Sequence, residues 1–192
     1  AYGSQERFSN FDLPFTELRG KTWGIAGMGH IGRKVACVAE TFGCNVIFYS
    51  TSGNSRCTEY QQVDLDTLLA TSDILSLHCP LSERTRNLID QDALEKMKKT
   101  AILLNVARGP VINNSDLYWA LQNEVIAAAG LDVLEKEPIT SDNLLGRIQD
   151  SNRLLITPHM AWASTEARAR IVEEVYQNVE AYLRGKARNI IS

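Results

Sequence analysis

The stretch Trp23–Gly32, WGIAGMGHIG, constrains the fold more than any other part of the chain. Gly27, Gly29 and Gly32 stand at the spacing G-x-G-x-x-G, after an apolar run, KTWGIAG, that reads as a strand. The run IGRKVACVAETF follows, an apolar-striped helix closed by Gly43. In that context each glycine has a mechanical task. Gly27 permits the tight turn, Gly29 lets backbone approach a pyrophosphate, and Gly32 lets the helix pack closely on the sheet. The helix N-terminus then presents free N–H groups to phosphate. A glycine-rich turn without a ligand is the other reading; the order strand, glycines, helix favours a dinucleotide.

The alternation continues along the chain. CNVIFY, DILSLH, AILLNV, VIAAAGLDV and RLLITP read as strands, and DLDTLLATS, QDALEKMKK and NNSDLYWALQNE as helices. A long helix is predicted over Ser164 to Leu183. Strands that are unbroken apolar runs, separated by helices, predict an α/β fold: a doubly wound parallel sheet of Rossmann type, covered on both faces. The expected divisions are an aromatic packing segment over residues 1–20, a nucleotide-binding domain over 21–161 and a C-terminal helical segment over 162–192. Trp23 and Trp119 fall in a strand and a helix and are expected in the core, and His78 is taken as structural.

Composition agrees and excludes other classes. The chain has 192 residues, 44% hydrophobic and 22% charged, enough for one sizeable core. A net charge of -3 gives no general attraction to nucleic acid or to an anionic membrane. No apolar run approaches the about eighteen residues of a membrane helix. With no signal peptide visible, a cytoplasmic setting is expected. Cys37, Cys44, Cys57 and Cys79 form no C-x-x-C pair and lie at no zinc spacing from a histidine, so they read as reduced and mostly buried, and no metal site is expected.

Three stretches beyond the glycines carry candidate chemistry, each at the end of a predicted strand: NVARGP, GLDVLEKEP and ITPHMAW. Ligands of open parallel sheets bind beyond the carboxyl ends of the strands, so Arg108, Asp132, Glu137 and His159 could share one crevice. Arginine clamps a carboxylate with two hydrogen bonds. Histidine moves a proton near neutral pH, and a glutamate bonded to it fixes its tautomer and favours its charged form. That is equipment for reducing a 2-keto acid. Taken singly, Arg108 could cap a sheet edge, Glu135 and Glu137 could be solvated loop charges, and His159 could be structural.

The ordered set GMGHIG, SLHCPLSERTRNLI, LLNVARGPVI, GLDVLEKEP and TPHMAWAS resembles the nucleotide-binding domain of the D-isomer-specific 2-hydroxyacid dehydrogenases over nearly the whole chain. The resemblance implies an NAD- or NADP-dependent oxidoreductase acting on a small 2-keto or 2-hydroxy acid. It gives Arg108 the substrate carboxylate and carbonyl, His159 the proton transfer and Glu137 the orientation of His159. Asp132 would meet the nicotinamide carboxamide. His30 and Ile31 would offer backbone N–H groups to the pyrophosphate. Cys79 and Pro80 would flank the adenine side, with Thr85 also on the cofactor side, and Val106 and Ala107 would flank the nicotinamide. Glu137 argues against the formate dehydrogenase branch, where glutamine stands. Trp162 resembles the glycerate and hydroxypyruvate reductase branch. A nucleotide-sensing corepressor of the same superfamily is the alternative function, and an adenosylhomocysteinase-like cofactor domain would leave Arg108, Glu137 and His159 unexplained.

The resemblance also implies a two-domain protein of which this chain holds the cofactor half, with the terminal helix leading back to a substrate domain and with a symmetric homodimer formed through this domain. Ser50 stands where NAD-specific members of the family carry an aspartate. A 2′-phosphate about 5 Å from such a carboxylate would be repelled by an energy on the order of several kcal/mol at an effective dielectric near 20. Ser50 removes that repulsion and leaves a hydroxyl donor, Thr51 and Ser52 could add hydrogen bonds, and Arg56 could reach the phosphate, so NADP is expected to be tolerated or preferred; the other reading keeps NAD, with Ser50 bonding the ribose and Arg56 in solvent.

Overall fold

The structure is a computed structural model and describes residues 15–190 apart from 54 and 151. Seven strands form one sheet: β1 (Thr22–Ala26), β2 (Asn45–Tyr49), β3 (Gln61–Gln62), β4 (Ile74–Leu77), β5 (Ile102–Asn105), β6 (Ala128–Leu131) and β7 (Leu154–Ile156). Their order is β3-β2-β1-β4-β5-β6-β7, and every pairing is parallel. The chain runs outward from β1 through β2 and β3, returns to β4, and runs outward again on the other side. This is the doubly wound sheet that the apolar runs predict, and its switch point lies between β1 and β4. β4 is buried at every position, as a central strand covered on both faces must be.

The helices are α1 (His30–Thr41), α2 (Leu65–Thr71), α3 (Gln91–Lys96), α4 (Asn114–Gln122) and α5 (Thr165–Leu183). Side chains close the N-termini of four of them. Asp64 accepts from Thr67 N, Asp90 from Ala93 N, Asn113 from Ser115 N and Asp116 N, and Ser164 from Ala167 N. α1 begins on Gly29, which has no side chain to offer. The larger core cluster includes Leu75, Leu77, Leu103, Leu117 and Ile126. A smaller one joins Ile25, Ala36, Phe48 and Cys57 under α1. Each fully buried Leu, Ile or Phe contributes about 1.5–3 kcal/mol of transfer free energy.

Several details depart from expectation. β3 is two exposed glutamines, with no apolar signal to announce it. α3 stops at Lys96 because Met97 turns extended and buries its side chain in the core. Trp23 and Trp119 are only partly buried and pack at the margins of the two clusters rather than within them. Trp23 does so because its indole N–H reaches Ser76 Oγ at 2.9 Å. Cys44, Cys57 and Cys79 are buried, Cys37 is exposed, and all four are free thiols. Of the N-terminal packing segment, residues 1–14 lie outside the described residues and Phe15 is 90% exposed. α5 buries none of its residues. Among the described residues no helix is long and apolar enough to cross a membrane.

Candidate functional site

The glycine loop joins β1 to α1 at the carboxyl edge of the sheet. Gly27 holds φ at +100°, and a Cβ there would lie 2.7 Å from Cys79 N, so only glycine fits against the end of β4. A Cβ on Gly32 would lie 2.2 Å from Gly27 O, so α1 sits hard against the turn. A Cβ on Gly29 would meet nothing within 4 Å. Gly29 therefore faces open space, beside a helix start with no side-chain cap. The first intrahelical bond recorded here is Arg33 N to Gly29 O at 3.0 Å, which leaves the N–H groups of His30 and Ile31 available to an anion. This cradle fits a pyrophosphate.

A cavity of about 370 Å³ continues from the loop to the end of β2. Gly29, Ser50, Thr51, Ser52, Arg56 and Pro80 line it, together with Arg33 and His78. Ser50 is buried, with its Oγ 3.3 Å from Ser52 Oγ, whereas Arg56 is exposed. His78, expected to be structural, borders this cavity, and its Nε2 is buried without a hydrogen-bond partner in the described structure. Burial pushes its pKa down and favours the neutral ring. Cys79 is buried beneath the glycine loop. Thr85, expected on the cofactor side, is also buried. Its hydroxyl donates to Pro80 O at 2.6 Å and accepts from Ser82 N at 2.8 Å, so it shapes the turn after β4 instead of offering itself to a ligand.

The acid–base pair forms beyond β6 and β7. His159 Nδ1 lies 2.7 Å from Glu137 Oε2, and Glu137 Oε1 accepts from Leu134 N at 2.9 Å. The Leu134 N–H, followed by the contact with His159, holds the Glu137 carboxyl below its ordinary range. His159 itself adopts φ of +49°, a left-handed conformation that strains a non-glycine residue. Asp132 secures the segment that carries it. Its Oδ1 accepts from Thr157 Oγ1 at 2.5 Å and Met160 N at 2.9 Å, and its Oδ2 accepts from Ala161 N at 2.8 Å. Burial would raise the Asp132 pKa, but these three donors overcome it and keep the group ionised. Asp132, Glu137 and His159 share a cavity of about 590 Å³ with Leu134, Ile139 and Ile156.

Arg108 follows β5 with an exposed side chain whose Nη1 donates to Ala107 O at 2.6 Å. Its turn is built by Asn105, a buried residue absent from the expected site. Asn105 Nδ2 donates to Arg108 O at 3.0 Å, and its Oδ1 accepts from Ala107 N at 3.0 Å. A Cβ on Gly109 would lie 1.9 Å from Leu134 C and O, so the Arg108 turn lies backbone to backbone against the loop that bears Glu137. Val106 is partly exposed at the same edge and Ala107 is buried. Asn105, Thr157 and Gly109 sit inside the motifs that drew attention, but their tasks are backbone bonds and close approaches with no side-chain signature. Among the described residues no cluster of His, Cys, Asp and Glu could hold a metal.

The family model for the D-isomer specific 2-hydroxyacid dehydrogenase, NAD binding domain, matches residues 2–161. Glycerate dehydrogenase of Methylorubrum extorquens is 37% identical over 190 residues, covering 99% of this chain and 59% of that protein. Among solved structures, an acyclic imino acid reductase in complex with NADPH and D-Arg superposes with a TM-score of 0.86 at 35% identity, covering 100% of this chain and 59% of the other. The NAD-complexed D-isomer specific 2-hydroxyacid dehydrogenase of Lactobacillus delbrueckii ssp. bulgaricus gives 0.81 at 31% identity, covering 93% and 57%. The chain thus spans a little under three fifths of the relatives it matches.

Proposed function

The chain belongs to the D-isomer specific 2-hydroxyacid dehydrogenases, as their NAD binding domain, and from that premise we propose that it serves hydride transfer between a nicotinamide cofactor and a small D-2-hydroxy acid or its 2-keto acid. The Glu137–His159 pair at 2.7 Å, at the sheet edge where α1 also begins, carries this reading. A pure nucleotide sensor, the corepressor alternative, has no need of such a pair on a strained backbone. The glycerate dehydrogenase relative supports a substrate close to glycerate and hydroxypyruvate.

His30 and Ile31 would hold the pyrophosphate, Cys79 and Pro80 would flank the adenine, and Val106, Ala107 and Asp132 would border the nicotinamide. The bound nicotinamide supplies the hydride in reduction and accepts it in oxidation. Glu137 engages Nδ1 of His159, which leaves Nε2 for the substrate oxygen. In reduction the charged ring would give its Nε2 proton to the substrate carbonyl oxygen. The neutral ring that remains keeps its Nδ1–H on Glu137. Oxidation runs the same steps backward, with His159 as base. Arg108 would grip the substrate carboxylate with two hydrogen bonds and fix the face presented to the nicotinamide.

We read the cofactor site as accepting NADP(H) as well as NAD(H). Ser50 carries no charge to repel a 2′-phosphate, and Arg56 borders the same cavity. A homodimer is part of the reading, supported by the exposed Phe15, Val38 and Phe42, as is a cytoplasmic setting, in keeping with the free thiols.

The test is a chimera in which this chain replaces the matching part of the Methylorubrum glycerate dehydrogenase, assayed for reduction of hydroxypyruvate. Turnover is expected, and the chain without a partner domain should bind nucleotide yet scarcely turn over, because nothing closes over the substrate. A folded chimera that binds nucleotide but reduces no 2-keto acid would contradict the proposal.

A further inference from the structure

The cavity beside Ser50 is bordered by two guanidinium groups, and they differ in circumstance. Arg56 makes no ion pair among the described residues. Arg33, on the first turn of α1, does: its Nη1 lies 3.0 Å from Glu59 Oε2. That carboxylate oxygen also accepts from Thr58 N at 3.0 Å and from Cys57 Sγ at 3.2 Å, so Glu59 is fixed in place rather than loosely paired. The cation on the helix that follows the phosphate-binding loop is therefore already held by an anion of the chain itself. Arg33 and Glu59 are 26 residues apart and belong to no shared motif.

We propose that Glu59 sets the preference between the two nicotinamide cofactors by holding Arg33 back from the adenosine 2′-phosphate. This rests on the dinucleotide reading above. A 2′-phosphate brings up to two negative charges and three acceptors into the cavity. It competes with Glu59 for Arg33 and is repelled by the Glu59 charge. A ribose 2′-hydroxyl does neither, so NADH binds with the pair intact. The serines at positions 50, 52 and 55 admit the phosphate, and Glu59 tempers its reward. The arrangement would leave the chain able to use both cofactors, with Arg56 the cation open to NADPH.

Fluorescence titrations of NADH and NADPH against the 192-residue chain test this, using Glu59→Gln, Arg33→Gln and the double variant. Glutamine keeps an acceptor for Thr58 N–H and Cys57 Sγ–H but removes the charge. Melting curves check that the loop holds, and Glu59→Ser is read in its place if they differ. Glu59→Gln should tighten NADPH about fivefold, the scale of an exposed ion pair, and leave NADH within about twofold. The gain should vanish in the double variant, because it depends on Arg33. An unchanged NADPH-to-NADH ratio in Glu59→Gln, or a gain that survives the loss of Arg33, would overturn the proposal. If the unmodified chain binds neither nucleotide, the dinucleotide reading falls and this inference with it. If it binds both and the ratio does not move, the inference falls alone.

Discussion

At the scale of single residues, His159 concentrates the chemistry and the strain. A left-handed backbone at a non-glycine residue costs about 1–3 kcal/mol, and Asp132 holds it there through three hydrogen bonds to the neighbouring chain. His159→Ala in the chimera should lower turnover about 10²–10⁴-fold, the usual worth of a positioned acid–base group. Nucleotide affinity should stay within about twofold, since the ring's hydrogen bond goes to Glu137 and not to the glycine loop. Equal losses in both would make the histidine structural. Glu137→Gln keeps the acceptor for Leu134 N–H but removes the negative charge beside the ring. Turnover should fall while nucleotide affinity holds, because the imidazole loses the carboxylate that fixes its orientation. Turnover that stays in place would separate Glu137 from the proton transfer. The residue types were legible in the sequence. The strain at His159 was not, because it arises from how the chain leaves β7 and not from any residue preference.

At the scale of elements, glycines and carboxylates define how the loops meet. Gly109→Ala would force a Cβ to within 1.9 Å of Leu134 C and O, displacing the Arg108 turn from the Glu137 loop. Denaturant unfolding should show a loss of about 3 kcal/mol or more, the upper range for overpacking. Gly29→Ala is the contrast, because its Cβ meets nothing within 4 Å. Stability should stay within about 0.5 kcal/mol, as at a surface site, while nucleotide binding weakens. A destabilised Gly29→Ala that still bound nucleotide normally would remove the cradle from the account. The loop carrying His159 should also be acid-sensitive. Asp132 and Glu137 both sit below their ordinary values of 3.8 and 4.5. Their contribution is therefore complete above the unfolded pKa values and is lost as pH falls through the folded ones. The amide resonances of Met160 and Ala161 should shift below about pH 4, ahead of global unfolding. If they move only with the whole chain, Asp132 does not govern the loop. The helices were readable in advance, and the caps that the structure gives them, Asp64, Asp90, Asn113 and Ser164, are residue types that close a first turn.

At the scale of the whole molecule, periodicity was enough to foresee the sheet. Unbroken apolar runs at β1, β2, β4, β5 and β6 leave little choice but a parallel sheet covered on both faces. β3 escaped because two exposed glutamines pair through backbone alone. The pairing of Arg33 with Glu59 escaped because it joins α1 to a loop beyond β2, a contact that the fold creates and no local pattern announces. α5 was foreseen as a helix, and Val172, Val175, Tyr176 and Val179 all stand exposed along it. The central claim is that a dinucleotide lies along the carboxyl edge of this sheet, from the glycine loop to the Glu137–His159 pair. The most direct measurement is a two-dimensional amide NMR titration of the chain with NADH. Saturable shifts are predicted at Gly29, His30 and Ile31, at Ser50 and Thr51, and at Val106, Ala107 and Asp132, forming one continuous path. Shifts that cluster elsewhere, or that miss His30 and Ile31, would contradict the account.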